Sequence, residues 1–264
     1  MLKITNINKT FNKNTVNEKI ALSNVNLTLN DGDFVTVIGG NGAGKSTLQN
    51  IIAGVYLPDS GTVEINGENI TILPEYKRAR YIGRVFQDPM LGTASNMQIE
   101  ENLTLAYRRG ERRGFTWMIN KEKREFFRDK IRHLGLSLED RLETKVGLLS
   151  GGQRQAITLL MATIKKPNLL LLDEHTAALD PRTAKVVLDL TKEIVEEMKI
   201  TTLMITHNMR DAINMGNRLI MMDAGRIVYD ISGEEKKNLT IEALLKKFET
   251  AEDAASDRMI LGSV

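Results

Sequence analysis

The first thirty residues alternate between apolar and polar positions, whereas later apolar runs are continuous. The alternating apolar positions in residues 2–30 include Leu2, Ile4, Ile7, Val25, Leu27 and Leu29. A period of two predicts half-buried strands, which we expect to be antiparallel. Residues 63–67 read as a strand that ends in a turn, and we assign them to the same antiparallel set.

Short runs of almost uninterrupted apolar residues follow at 34–38, 169–172, 202–205 and 219–222. Strands of this kind are typical of a parallel sheet that is covered on both faces. Helical stretches such as residues 182–198 lie between them. The pattern therefore predicts an α/β fold.

Residues 90–165 interrupt this alternation of strands and helices. Charged residues and helix formers dominate there, with 121–133 as a clear example, and we predict a helical insertion into the sheet domain. A short amphipathic helix is expected at 240–248, and the polar residues 252–258 are expected to fray. The predicted organisation is a single domain at 1–250, with a core and its antiparallel β subdomain at 1–88 and 166–233 and a helical subdomain at 89–165, and then a short C-terminal helix and flexible tail at 234–264.

Composition narrows the class of protein. The chain has 264 residues, 42% of them hydrophobic and 27% charged, as in an ordinary globular domain. It has no cysteine, which excludes disulfides and thiolate metal sites, and a net charge of +2, which gives no reason to expect nucleic-acid binding. No apolar run approaches the ~20 residues of a membrane span, and the N-terminus does not resemble a signal peptide. We expect a cytosolic protein that is still able to dock on a membrane partner.

A glycine-rich segment carries the first chemical signal. Residues 39–46 match the pattern G-x-x-x-x-G-K-[ST] and stand between a buried apolar run and a predicted helix at 47–53. Glycines let successive backbone N–H groups point at phosphates, Lys45 adds positive charge for the β and γ phosphates, and the Ser46 hydroxyl is placed to bind Mg²⁺. A merely flexible glycine turn is disfavoured by this context. The predicted ATP-binding residues of the segment are Gly39, Asn41, Gly42, Ala43, Gly44, Lys45, Ser46 and Thr47.

Two carboxylates end the apolar run at 169–172. Asp173 is expected at the carboxyl edge of the sheet, where it can orient the Mg²⁺ shell. Glu174 follows directly and is expected to polarise the attacking water. Solvated charges after a strand would explain either residue alone, but explain the pair in this order poorly.

A second predicted phosphate-binding helix start lies about a hundred residues after the first. Residues 149–153 read Leu-Ser-Gly-Gly-Gln and open a helix that is expected to reach about residue 165. Ser150 is a natural N-cap, and Gly151 and Gly152 leave the N–H groups of the first turn uncovered. Gln153 completes the predicted nucleotide-binding residues of this segment. One nucleotide does not need two such starts, so this one is expected to face the ATP of a second copy. The sequence thus predicts an ATP-dependent homodimer around two nucleotides.

Together these residues resemble the nucleotide-binding subunits of ATP-binding cassette (ABC) transporters over essentially the whole chain. The resemblance implies a P-loop NTPase core with a mixed sheet, and ATP with Mg²⁺ as its ligands. It implies that Gln87 senses Mg²⁺, that His207 contacts the γ-phosphate, and that Asp180 crosses the dimer interface. Phe11 stands where the family stacks an aromatic ring on adenine, although packing within the protein is a serious alternative. The implied catalytic residues are Lys45, Gln87, Glu174 and His207, and the implied metal ligands are Ser46, Gln87 and Asp173.

Some positions depart from the family pattern or have an open role. His175 replaces a common proline and Ala177 a common serine. A proton relay through His175 is disfavoured, because the next residue along an extended strand points the other way. The arginine- and aromatic-rich residues 107–118 either contact a permease or lipid headgroups, or form a solvated loop.

The resemblance further implies a peripheral ATPase on the cytoplasmic face of the cell membrane. Its implied partners are separate transmembrane permease subunits and, indirectly, an extracytoplasmic solute-binding protein. Residues 174–180, 207–212 and 233–240 are similar to a subgroup of bacterial importers associated with aromatic amino acid uptake. The alternatives are a non-transport ABC ATPase in cluster assembly or scaffolding, and a nucleotide-binding module without hydrolysis, which the presence of Glu174 and His207 disfavours.

Overall fold

The computed structural model describes residues 1–111 and 119–248, and the chain divides into two compact units. The first contains Met1–Arg78 and the residues from Thr201 onward, and the second contains Ala79–Ile200. The second unit is larger than the helical subdomain predicted at 89–165, because it also contains one strand before that range and one strand and one helix after it. The finer predicted division stays a prediction. Residues 112–118 of the arginine- and aromatic-rich segment and the polar tail at 252–258 lie outside the described residues.

The strands and helices are numbered in chain order. The strands are β1 Leu2–Phe11, β2 Lys19–Leu29, β3 Phe34–Ile38, β4 Ser60–Ile65, β5 Glu68–Asn69, β6 Ile82–Val85, β7 Leu169–Asp173, β8 Thr202–Ile205, β9 Arg218–Asp223 and β10 Arg226–Ser232. The helices are α1 Lys45–Ala53, α2 Glu75–Arg78, α3 Ile99–Tyr107, α4 Lys121–Arg132, α5 Gly151–Thr163, α6 Pro181–Met198, α7 Met209–Asn214, α8 Gly233–Lys237 and α9 at 241–248.

The N-terminal strands of the first unit form an antiparallel sheet in the order β2-β1-β4-β5. In this sheet Ile4 pairs with Leu27 of β2 and with Val63 of β4. The register of β1 against β2 shifts near Asn6, whose φ of 51° is left-handed, a region that asparagine tolerates. The antiparallel prediction for residues 2–30 and 63–67 is confirmed.

A second group of strands in the first unit is centred on β3. Every residue of β3 is buried, and the strand runs parallel to both β8 and β9. The strand β10 pairs with β9 in the antiparallel sense. Burial on both faces explains the continuous apolar runs, and the prediction of parallel strands at these positions is confirmed.

Buried contacts hold the helices of the first unit against one another and against its strands. The guanidinium of Arg78 donates to the carbonyl oxygens of Ile51 (2.6 Å) and Ile52 (2.8 Å) near the end of α1, and burial lowers its pKa to about 10. The predicted C-terminal helix is present as α9, with Leu244 buried beside Ile38 and Met221.

The second unit combines one parallel strand pair, β6 with β7, with the helices α3 to α6. Asn120 is the N-cap of α4, and its side chain accepts a hydrogen bond from the Lys123 N–H at 2.9 Å. The helix buries Phe127 and Ile131. Within the described parts of 90–165 the structure contains helices and turns but no strand, apart from one isolated bridge between Gln98 and Lys145. The prediction of a helical segment there is confirmed.

Candidate functional site

The predicted site residues fall into two groups, one in each compact unit. The first unit carries Phe11, Gly39, Asn41, Gly42, Ala43, Gly44, Lys45, Ser46, Thr47 and His207. The second unit carries Gln87, Ser150, Gly151, Gly152, Gln153, Asp173, Glu174 and Asp180.

The glycine loop connects β3 to α1 and is enclosed by other backbone. Gly39 has φ 154°, and a Cβ there would overlap the carbonyl oxygen of Met222 in β9. Gly44 has φ 99°, and a Cβ there would lie 2.6 Å from the carbonyl oxygen of Ala21 in β2. Both positions therefore require glycine for steric reasons as well as for their dihedral angles.

The start of α1 offers donors to an anion. Its N-cap is Gly44, which has no side chain and therefore gives the first turn no side-chain cap. Lys45 is 6% exposed, and its Nζ donates to the carbonyl oxygens of Gly39 (2.8 Å) and Gly40 (3.0 Å). Ser46 is exposed at the same helix start. Uncapped N–H groups, a helix dipole and an ammonium held by the loop are what a phosphate chain requires.

His207 follows β8 at the same sheet edge as the glycine loop. In the parallel register Val37 of β3 pairs with Ile205 of β8, and the Thr206 N–H donates to the Val37 carbonyl oxygen at 3.2 Å. Gly39 and His207 each lie two residues beyond this pair. Neighbouring strands are about 4.8 Å apart, so the two residues leave the sheet side by side. The structure therefore brings together His207 and the loop, with His207 exposed.

Phe11 ends β1 and is half-buried. Its ring meets that of Tyr56 edge to face, with centroids 5.3 Å apart, and the Lys9 ammonium lies 5.5 Å from its centroid. Packing within the protein therefore accounts for part of this ring, and adenine stacking by Phe11 stays a prediction.

The strand pair of the second unit places Gln87 and Glu174 at one edge. Val85 of β6 pairs with Leu172 of β7, and Gln87 and Glu174 each lie two residues beyond this pair. Glu174 adopts φ 46°, so the chain leaves the extended conformation as soon as β7 ends at Asp173.

Asp173 has a basic neighbour that the sequence reading did not single out. Its Oδ2 lies 3.9 Å from a terminal guanidinium nitrogen of Arg84, a residue of β6. Nothing in the local sequence signals this pair, because it depends on the pairing of two strands that are far apart along the chain.

The predicted Mg²⁺ ligands all carry oxygen donors. Among the described residues no three His, Cys, Asp or Glu side chains cluster in a way that could hold a metal ion. The predicted set of Ser46, Gln87 and Asp173 instead supplies a hydroxyl, an amide and one carboxylate. That chemistry suits Mg²⁺, which usually keeps several waters and binds one or two carboxylates together with substrate phosphates.

His175 points into the second unit. Its side chain is 1% exposed, and its Nε2 lies 3.1 Å from the Thr191 hydroxyl oxygen of α6. Burial lowers its pKa to about 4, so the imidazole is neutral at physiological pH. These contacts agree with the rejection of a proton relay, but the reason given for it was wrong, because Glu174 is not in an extended strand.

The lowered pKa of His175 predicts a loss of stability in mild acid. The unfolded chain binds the proton below pH 6.5 but the folded chain only near pH 4, so the free energy of unfolding falls as the pH drops between these values. Urea unfolding of the wild type should show this fall, and His175→Asn should flatten it. The exposed His133, changed to Asn, is the matched control and should leave the slope unchanged. An equal slope in His175→Asn and wild type would contradict the assignment.

The second predicted helix start is capped by its own side chains. Ser150 Oγ accepts from the Gln153 N–H at 3.3 Å, and Gln153 Oε1 accepts from the Ser150 N–H at 3.2 Å. The prediction that Ser150 is an N-cap is confirmed. Its proposed contact with a partner's ATP stays a prediction.

The glycines at this helix start have a packing role that the sequence reading missed. A Cβ on Gly152 would overlap Thr183 Cγ2 in α6, and one on Gly151 would lie 3.3 Å from Leu179 Cδ2. Asp180 caps α6 by accepting from the Thr183 N–H at 3.1 Å, and hydrogen bonds from the Thr183 side chain and backbone lower the pKa of Asp180. Thr183 thus contacts both predicted interface segments.

Gly152→Ala should destabilise the protein by about 1–3 kcal/mol, because the added methyl group overpacks against Thr183. Thr183→Ser removes the opposing methyl group, so the double variant should recover most of the loss. Thermal unfolding measures the effect, and Gly151→Ala is the matched control with the looser contact. A double variant no more stable than Gly152→Ala would show that this contact is not the reason for the glycine.

The described part of the arginine- and aromatic-rich segment is tied to the second unit. Tyr107 packs on Phe126 with ring centroids 5.5 Å apart. The Arg109 guanidinium donates to the carbonyl oxygens of Ala162 and Lys165, each at 3.1 Å, and burial lowers its pKa. Arg109 therefore fastens the end of α5, whereas Phe115 and Trp117, the proposed permease contacts, lie outside the described residues.

Comparison with known proteins gives one consistent result. A family model described as ABC transporter matches residues 22–177. The tyrosine transport ATP-binding protein of Clostridioides difficile is 45% identical over 251 residues, which are 95% of this chain and 100% of the relative. The spermidine/putrescine import ATP-binding protein PotA of Haemophilus influenzae is 31% identical over 272 residues, which cover 100% of this chain and 68% of the relative.

Solved structures agree with these sequence relatives. The dimeric structure of the ATP-binding cassette MJ0796, in a post-hydrolysis state bound to ADP and Pi, superposes with a TM-score of 0.75 and 30% identity. The match covers 88% of this chain and 98% of that one. None of the helices within the described residues has the length and apolar character needed to span a membrane.

Proposed function

The chain belongs to the ABC transporter family and is an ATPase of that family, and from this we propose that two copies dimerise around two Mg-ATP to power a separate permease. One observation carries the nucleotide part of the proposal. The glycine loop presents the uncapped start of α1 together with the buried ammonium of Lys45. The fixed dihedral angles of Gly39 and Gly44 keep these donors in place before a ligand arrives.

In the proposed reaction water attacks the γ-phosphorus, the bond to the bridging oxygen breaks, and ADP leaves. Lys45 and the first turn of α1 hold the phosphates, while Ser46, Asp173 and Gln87 would hold Mg²⁺, which supplies charge neutralisation when bound. Glu174 orients the water, and His207 stabilises the charge that develops on the γ-phosphate. Positioning and electrostatics account for most of the rate increase in such a reaction.

Ser150 and Gly152 of a partner copy would close the site from the other side. The resemblance to a cassette described as dimeric with ADP and Pi supports this arrangement. Asp180 and the residues from Gly151 to Gln153 are proposed to line the same interface. Phe11 would stack on the adenine base.

The transported solute is proposed to be an amino acid, and an aromatic one by analogy with the tyrosine transport relative. The partners would then be transmembrane permease subunits and, indirectly, an extracytoplasmic solute-binding protein. The ATPase would lie on the cytoplasmic face of the membrane. The relatives reported above carry transport or import names, which favours this role over cluster assembly or scaffolding.

The mass of Glu174→Gln in solution tests the composite site. With ATP and Mg²⁺ this variant should shift from monomer to dimer, because ATP stays bound when the water is not activated. Adding Ser150→Arg should abolish the shift, since a bulky cation would occupy the proposed phosphate contact. Light scattering or analytical ultracentrifugation measures the mass.

Glu193→Gln removes an exposed carboxylate from α6 and is the matched control, which should retain wild-type hydrolysis. A Glu174→Gln protein that stays monomeric in ATP and still hydrolyses it would contradict the sandwich arrangement and the role of Glu174.

A further inference from the structure

One lysine outside the predicted motifs stands beside the glycine loop. Lys19 is the first residue of β2, and its Nζ lies 3.3 Å from the position that a Cβ on Gly42 would occupy. Gly42 is an exposed residue in the middle of the loop, with φ 84°. The Lys19 ammonium therefore lies next to the loop that holds the phosphates in the proposed function.

The backbone fixes this placement. The strand β2 passes directly along the loop, since the carbonyl oxygen of Ala21 is the atom that excludes a side chain at Gly44. Lys19 lies two residues before Ala21 in the same strand. In the pairing of β1 with β2, Lys19 is opposite Phe11, the proposed adenine contact. Lys19 thus lies next to both the proposed adenine contact and the glycine loop.

The charge of Lys19 is available to a ligand. Lys45 donates to two carbonyl oxygens of the loop. The Lys19 side chain, in contrast, is exposed and makes no hydrogen bond or ion pair with any residue in 1–111 or 119–248. No carboxylate neutralises it within those ranges. An ammonium in this position attracts phosphate groups without first breaking an internal ion pair.

We propose that Lys19 is a second phosphate-binding cation of the nucleotide site, supplied by β2 and acting beside Lys45. It would strengthen binding in proportion to the charge of the phosphate chain and so favour ATP and ADP over AMP. This inference rests on the proposed nucleotide site, and it adds a residue that belongs to none of the sequence motifs. Because Lys19 is exposed, the effect is moderate and sensitive to salt.

Nucleotide binding by Lys19→Gln tests the proposal, with titration calorimetry of ATP, ADP and AMP at low and high ionic strength. The dissociation constant for ATP should rise about 3- to 10-fold at low salt, as expected for one exposed charge near several phosphates. The rise should be smaller for ADP, smaller again for AMP, and reduced at high salt. Lys19→Arg keeps the charge and should bind ATP within about 2-fold of the wild type.

Lys3→Gln is the matched control, because Lys3 is also exposed on the N-terminal sheet and removal of its charge should leave all three constants unchanged. Thermal unfolding of each variant shows that the fold is intact. Unchanged ATP binding in Lys19→Gln would overturn the proposal. An equal loss for ATP, ADP and AMP would also overturn it, because that pattern indicates a contact with the base or ribose. A wild-type protein that binds no ATP would instead refute the proposed function itself.

Discussion

The close approach of backbone to backbone around the glycine loop is the constraint on which the rest of the first unit depends. Gly39 meets the Met222 carbonyl of β9, and Gly44 meets the Ala21 carbonyl of β2. The loop therefore packs between a parallel strand, β9, and a strand of the antiparallel sheet, β2. Any side chain at these positions would push one of its neighbours away and move the start of α1. The same contacts that hold the loop bring β2, and with it Lys19, alongside the proposed phosphate-binding groups.

The two helix starts that look alike in sequence differ in how their donors are used. The N-cap of α1 is a glycine and makes no side-chain cap hydrogen bond. In the first turn of α5 the Gln153 N–H donates to the Ser150 hydroxyl, and Gly152 packs against α6. A helix built in this way binds an anion less strongly by itself. This difference fits the proposed composite site, in which the start of α5 closes over a nucleotide that the partner copy already holds.

The sequence is informative where local pattern and function coincide. Continuous apolar runs predicted β3, β7, β8 and β9, and the loop and cap residues follow from simple rules of helix starts. The sequence pattern did not predict β6, because Gly83 and Arg84 interrupt its apolar residues. It also did not predict which residues contact each other across the fold. Arg84 reaches Asp173 only through strand pairing, and Thr183 reaches Gly152 only through helix packing. No local pattern encodes such pairs, because their residues are far apart along the chain.

The backbone is strained at Glu174, the proposed catalytic carboxylate, directly before the buried His175. A non-glycine residue at φ 46° costs roughly 1–2 kcal/mol relative to a right-handed conformation. Such a conformation persists where its surroundings fix it, and here the next side chain is buried and bonded to Thr191 in α6. The backbone turns at Glu174, directly after β7 ends. This turn directs His175 into the interior, while Glu174 itself lies at the edge of the strand pair. Because the buried imidazole of His175 is neutral, it holds the backbone beside Glu174 without adding a charge there. A histidine that replaces proline in the family pattern is thus better explained by the packing of the second unit than by added chemistry.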